Sequence, residues 1–197
     1  MNEEKDIRGA AVEISMIMDE NARSFLPGGE NEPLVRGLAE RVLRLCGGDV
    51  CGVRPQEVAE RLLLEFYCLM WFCCCLSALL YGGEETCEVV RRKVFPLLAC
   101  AARDAGWETF ERFLDLSEDR VDQYSRMVVG AGMKLPAERL AGAAACHLAA
   151  FAARRCGSPG AKLEKEPHLI ANFKKLAEST LATTASVLGG FQRAEGP

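Results

Sequence analysis

The run from Phe66 to Gly83, FYCLMWFCCCLSALLYGG, carries no formal charge and contains three consecutive cysteines. A segment this apolar either spans a bilayer or becomes the axis around which a globular protein packs. Its eighteen residues reach roughly 27 Å at about 1.5 Å rise each, just short of the ~30 Å hydrocarbon thickness. Ser77, two tyrosines and the helix-stopping Gly82-Gly83 pair lie inside the run, and Glu65 stands immediately before it. No cluster of Lys or Arg biases one flank. No membrane span is expected, and a helix apolar on all sides is then predicted to lie at the centre of a bundle.

Punctuation by glycine and proline sets the class. Gly28-Gly29, Gly47-Gly48, Gly82-Gly83, Gly106, Gly130 and Gly189-Gly190 fall where helical periodicity stops, while Pro33, Pro55, Pro136 and Pro167 open apolar-periodic segments. Proline at starts and glycine past ends is the signature of helices joined by short connections. The short Val50-Cys51-Gly52-Val53 stretch is too small to establish a sheet. The expected fold is all-α: a single-domain bundle of about six to seven helices around a central apolar helix, residues 55–81.

The helices are drawn at 6–26, 33–46, 55–81, 85–105, 107–130, 136–156 and 167–189. In the first, Ile7, Ala11, Ile14, Met18 and Ala22 share one stripe. Pro96 is expected to kink the fourth, because its ring removes a backbone bond to the Arg92 carbonyl. The fifth carries an aromatic and aliphatic stripe of Trp107, Phe110, Leu114, Val121, Tyr124 and Val128, which is one candidate partner-binding face. Ser117 before Glu118-Asp119 resembles an N-cap and is expected to divide or bend that helix. Residues 157–166, GSPGAKLEKE, read as a loop, and 192–197 as a frayed C-terminus.

The sixth segment, LAGAAACHLAAFAA, repeats alanine every four residues at Ala141, Ala145, Ala149 and Ala153. Such a ridge admits close approach of a second backbone, either from a neighbouring helix of the same core or across a symmetric dimer seam. The four alanines are therefore the candidate interaction face for a protein partner or a second copy of the chain.

Chemistry-bearing motifs are sparse. With 24 Lys and Arg against 28 Asp and Glu, and only short basic groupings, no nucleic-acid partner is expected. The N-terminus MNEEKDIRG has acidic residues where a secretory signal is positive, so a cytoplasmic location is expected, with the ten cysteines held as reduced thiols. Cys68, Cys73, Cys74, Cys75, Cys100 and Cys146 are read as small packed hydrophobes. No CxxC pair exists, and no two cysteines of the central helix stand at i,i+3 or i,i+4, so no metal site is expected. Exposure suited to a reactive thiol is expected only at Cys46, Cys51, Cys87 and Cys156. No phosphate-binding loop, GxSxG elbow, HExxH or Glu-x-x-His pair appears, and no cofactor is expected.

Three functional readings remain. The first is a non-enzymatic interaction or assembly protein of regulatory or adaptor type that binds a partner or itself. The second is a sensor or carrier that takes a hydrophobic small molecule beside the central helix, with Glu65, Tyr67, Met70, Trp71 and His147 as candidate ligand contacts. The third is an enzyme using Glu65 and His147 as an acid–base pair inside the bundle. Against the third stands Arg61, one turn from Glu65, which suits a surface i,i+4 ion pair.

Overall fold

The computed structural model describes residues 3–46, 53–105, 110–129, 137–156 and 165–194. They form six helices in the order α1 (Glu3–Ser24), α2 (Glu32–Leu45), α3 (Pro55–Asp104), α4 (Phe110–Val129), α5 (Ala137–Cys156) and α6 (Pro167–Ala194), with no strand among the described residues. The expected all-α bundle is what the chain adopts. The Val50–Val53 stretch lies outside the described residues except for Val53, as do most of the 157–166 loop and residues 195–197.

The stripe on α1 packs as its spacing dictates: Ala11, Ile14, Met18 and Ala22 are fully buried. Prolines open three of the helices. Pro33 and Pro55 occupy the first turn of α2 and α3, where a missing N–H costs nothing. Pro167 begins α6, where Glu166 accepts a 2.6 Å bond from the Leu169 N–H and caps the helix with a carboxylate. Arg41 of α2 holds the same carboxylate at 2.5 Å, tying α2 to the start of α6.

The centre of the molecule is the first arm of α3. Every residue from Leu62 to Cys74 is buried, so this stretch is covered on all sides. It holds the most apolar eighteen-residue window of the chain, long and apolar enough to cross a membrane and 83% buried by the other elements. α6 lies along it through Ser77, whose hydroxyl donates to the Leu181 carbonyl at 3.2 Å, and through a 5.1 Å edge-on contact of Phe66 with Phe173. α1 is fixed to it by the Tyr67 hydroxyl, which donates to the Ala22 carbonyl at 3.1 Å, and by Phe25 against Phe66.

α3 is a hairpin of two helical arms, 55–82 and 84–104. Only Gly83 within it leaves helical backbone geometry, at φ 79° and ψ −173°, a region nearly exclusive to glycine. A Cβ at the preceding Gly82 would meet the Thr86 side chain at 2.5 Å, and the Thr86 hydroxyl donates to the Gly82 carbonyl at 2.7 Å. The bend therefore requires both glycines, and it folds the arms back on each other. The rings of Trp71 and Phe95 lie 5.0 Å apart, whereas an unbent helix would separate them by roughly 35 Å.

Irregularity is expected at Pro96 and Ser117. The backbone keeps helical φ/ψ through the exposed Pro96, and the non-helical break within α3 is at Gly83, where the sequence places a helix stop. Ser117 does not divide α4: it is buried, and its hydroxyl donates back to the Leu114 carbonyl at 2.8 Å, so it satisfies a helical carbonyl rather than capping a new helix. α6 also continues through Gly189-Gly190 to Ala194, past the expected stop at 189.

Candidate functional site

α4 lies across both arms of the α3 hairpin, and its two sides have opposite character. One side carries Phe113, Ser117, Arg120 and Tyr124, at helical spacing and buried. Phe113 stacks on Phe95 of the second arm at 5.4 Å, and Tyr124 meets Phe72 of the first at 5.2 Å. Between them Arg120 reaches Glu65, its Nε 2.9 Å from Oε2 and its second nitrogen 2.8 Å from Oε1. Arg61 contacts the same Oε1 at 2.8 Å. Glu65 is fully buried, so this carboxylate takes three charge-assisted contacts out of water and acts as an anchor joining α3 to α4.

Burial lowers the Arg61 guanidinium below its usual range, with Glu65 opposing the shift. Burial also disfavours the charged form of Arg120, but its paired bonds to Glu65 more than offset this and hold it above the usual range. His147 of α5 lies beside the cluster, its ring 6.1 Å from that of Tyr124. Desolvation lowers its pKa to about 4, with Glu65 pulling the other way and the two arginines adding to the fall. The structure thus brings Glu65 and His147 into one interior cluster, as a buried ion triad beside a neutral imidazole. The surface Arg61–Glu65 pair expected from the sequence exists, but it is buried and shared with Arg120.

The other side of α4 faces a groove of about 750 Å³. Its floor comes from Trp71, Phe72, Leu76 and Leu79 of the first arm, with Val121 and Val128 of α4 beside them. Cys75, Cys87 and Arg91 come from the facing turns of the hairpin, and the Arg91 guanidinium sits over the Trp71 ring at 6.0 Å. Asp115, Glu118, Asp119 and Asp122 form the rim, brought to one edge by their three- and four-residue spacing. Asp122 pairs with Arg126 at 3.1 Å, whereas Asp115, Glu118 and Asp119 make no ion pair among the described residues. The groove runs out to Leu79, 44% exposed, next to the equally exposed Leu80 and Tyr81. The Trp71 indole N–H is buried without a hydrogen-bond partner.

A second cavity of about 530 Å³ lies between the α1–α2 corner and the start of α3. Its charged lining residues are each paired: Arg36 with Glu32, Arg54 with Glu57 at 2.8 Å, and Glu40 with Arg44 at 3.9 Å. It presents no unbalanced feature to a ligand.

The sequence-derived contacts divide accordingly. Of Glu65, Tyr67, Met70, Trp71 and His147, only Trp71 lines the groove; Met70 is core and Tyr67 is spent on the Ala22 carbonyl. Ala141, Ala145 and Ala149 are buried, and Ala153 is half-buried, on a helix that packs chiefly against α6 of the same chain. Cys146 is exposed rather than packed. No group of three or more Cys, His, Asp or Glu among the described residues is arranged to hold a metal ion.

Sequence reasoning missed Arg120 and the acidic rim. Both had a signal: position 120 is in helical register with Phe113, Ser117 and Tyr124, and four carboxylates fall within eight residues on the adjacent edge. No protein-family model, curated protein or solved structure matches the chain.

Proposed function

We propose that this is a helical interaction protein whose groove between the α3 hairpin and α4 receives a basic amphipathic helix from a protein partner. One observation carries the reading: an apolar floor lies beside a ladder of carboxylates, three of which have no counter-ion among the described residues. Like charges at i,i+3 and i,i+4 repel one another along α4. A partner helix with leucines on one face and lysines or arginines flanking it relieves that repulsion while its apolar side covers Trp71, Leu76 and Leu79. Charge complementarity of this kind sets encounter rate and partner choice more than raw affinity, and it weakens with salt.

Supporting the interior as a structural element rather than a reaction centre, Glu65 is sealed from solvent and committed to two arginines. The proposed role is regulatory or assembly, in the cytoplasm, and the burial of the long apolar window supports the part of that reading that needs no membrane span. Self-association through the alanine ridge forms no part of the reading, because Ala141, Ala145 and Ala149 are already covered.

The chain has two tryptophans, so Trp107→Phe leaves Trp71 as the only reporter in the groove. Trp71 emission should titrate with a short model helix of leucine and lysine, but not with its leucine–glutamate counterpart. The triple substitution Asp115→Asn, Glu118→Gln, Asp119→Asn should weaken the lysine helix at least about tenfold, or ~1.4 kcal/mol. Equal response to both helices, or to neither, would sink the proposal. A response to dodecyltrimethylammonium alone would move the assignment to a carrier of hydrophobic cations.

A further inference from the structure

Two thiols on the floor of the groove belong to different arms of the α3 hairpin. In an unbroken helix Cys75 and Cys87 would stand more than three turns apart. The bend at Gly83 turns the second arm back along the first, so that Cys75 and Cys87 come from facing turns of the two arms and both line the groove. Each is half-buried, unlike the adjacent Cys73 and Cys74, which have no access to solvent. Arg91, one turn beyond Cys87, is fixed on the same surface by its position over Trp71.

We propose that Cys75 and Cys87 form a reactive dithiol, which a hydroperoxide converts to an intramolecular disulfide that pins the two arms of the hairpin together. In the first step the Cys87 thiolate attacks one oxygen of hydrogen peroxide. An S–O bond forms, the O–O bond breaks, and the departing hydroxide takes up a proton as water. In the second step the Cys75 sulfur attacks the sulfur of the Cys87 sulfenic acid. The S–S bond forms, the S–O bond breaks, and the hydroxide leaves with the Cys75 proton as a second water. Two thiols lose two electrons, and one peroxide becomes two waters.

The roles of the two sulfurs follow from their surroundings. The neighbouring Cys75 thiol lowers the Cys87 pKa; partial burial and Glu88 oppose this, and Arg91 assists. The same proximity to Cys87, together with burial, pushes the Cys75 pKa up. Cys73 and Cys74 are held protonated by complete desolvation, Cys74 at about 12. Cys87 is thus the more readily ionised of the two, with Cys75 as the resolving thiol in the same groove. None of this depends on what the groove binds.

The test treats the reduced full-length chain with hydrogen peroxide, caps the remaining thiols under denaturing conditions and maps the peptides by mass spectrometry. The expected product has lost two hydrogens, carries a Cys75–Cys87 cross-linked peptide and returns to the dithiol with dithiothreitol. Cys75→Ser should stop at a Cys87 sulfenic acid that dimedone traps, and Cys87→Ser should form neither product. Because the primary readout uses the unmodified chain, a variant that misfolds does not shelter the proposal. It is overturned if Cys75 and Cys87 stay fully alkylatable while other cysteines oxidise, or if Cys87 cross-links to a different cysteine.

Discussion

The two sides of α4 solve the same electrostatic problem in opposite ways. On one side Glu65, Arg61 and Arg120 are removed from water and matched to each other through contacts of 2.8–2.9 Å. On the other, Asp115, Glu118 and Asp119 stay in solvent with no internal counter-ion among the described residues. A buried charge must be paired by the protein itself, because the low-dielectric interior offers nothing else. An exposed charge can wait for a partner from outside. The lesson is that the most perturbed polar cluster here marks architecture, and the groove with unbalanced charge marks the surface available for binding.

The largest expected effect breaks the buried side. Glu65→Leu leaves two buried guanidiniums unpaired and should cost about 3–5 kcal/mol of unfolding free energy in urea denaturation. Replacing all three members together, Glu65→Leu with Arg61→Met and Arg120→Met, should recover most of that loss or exceed the original stability. A single variant as stable as the parent would show that the triad does not anchor α4.

A smaller effect concerns His147. Its folded pKa of about 4 lies below its ordinary value, so the unfolded chain binds the extra proton between those two pH values. Stability from this group is complete above about pH 6.5 and declines as pH falls toward 4. Carboxylates whose pKa is lowered, such as Glu166, Glu32 and Glu138, begin to contribute to acid loss only below about pH 4.5. Thermal melts of His147→Gln should therefore show a flatter profile than the parent between about pH 6.5 and 4.5, and parallel slopes across that window would contradict the assignment.

The smallest effect lies on the groove side. Asp115→Asn, Glu118→Gln and Asp119→Asn together should change stability by no more than about 0.5 kcal/mol, and in the stabilising direction, because they remove like-charge repulsion from solvent. A marked destabilisation would mean that the rim is structural and erase the contrast between the two sides.

The helical class and most boundaries were legible because glycine and proline act locally. Pro55 and Pro167 begin their helices, and Gly82-Gly83 breaks its own, for reasons contained in a few residues. Full burial of Leu62 to Cys74 was legible as well, since a segment apolar on every face leaves few other places for it. The pairings were not. Arg120 is 55 residues from Glu65, and nothing in the periodicity of α3 indicates which turn of α4 will meet it. Asking which cysteines share a face within one helix also missed Cys75 and Cys87, whose placement in one groove depends on the bend at Gly83. Pro96 keeps helical φ/ψ because proline constrains φ to a value that helices already use, whereas Gly83 takes one that they do not.

That turn also bears on the order in which the chain acquires structure. The Trp71–Phe95 contact closes a short, local loop, whereas Ser77 and Leu181 are 104 residues apart. Loop-closure entropy rises with separation, so the two arms of α3 can collapse on each other before the distant helices arrive. The hairpin then offers a formed template on which α6 and α4 condense, and a chain with so apolar a central segment hides much of it early against its own neighbouring sequence.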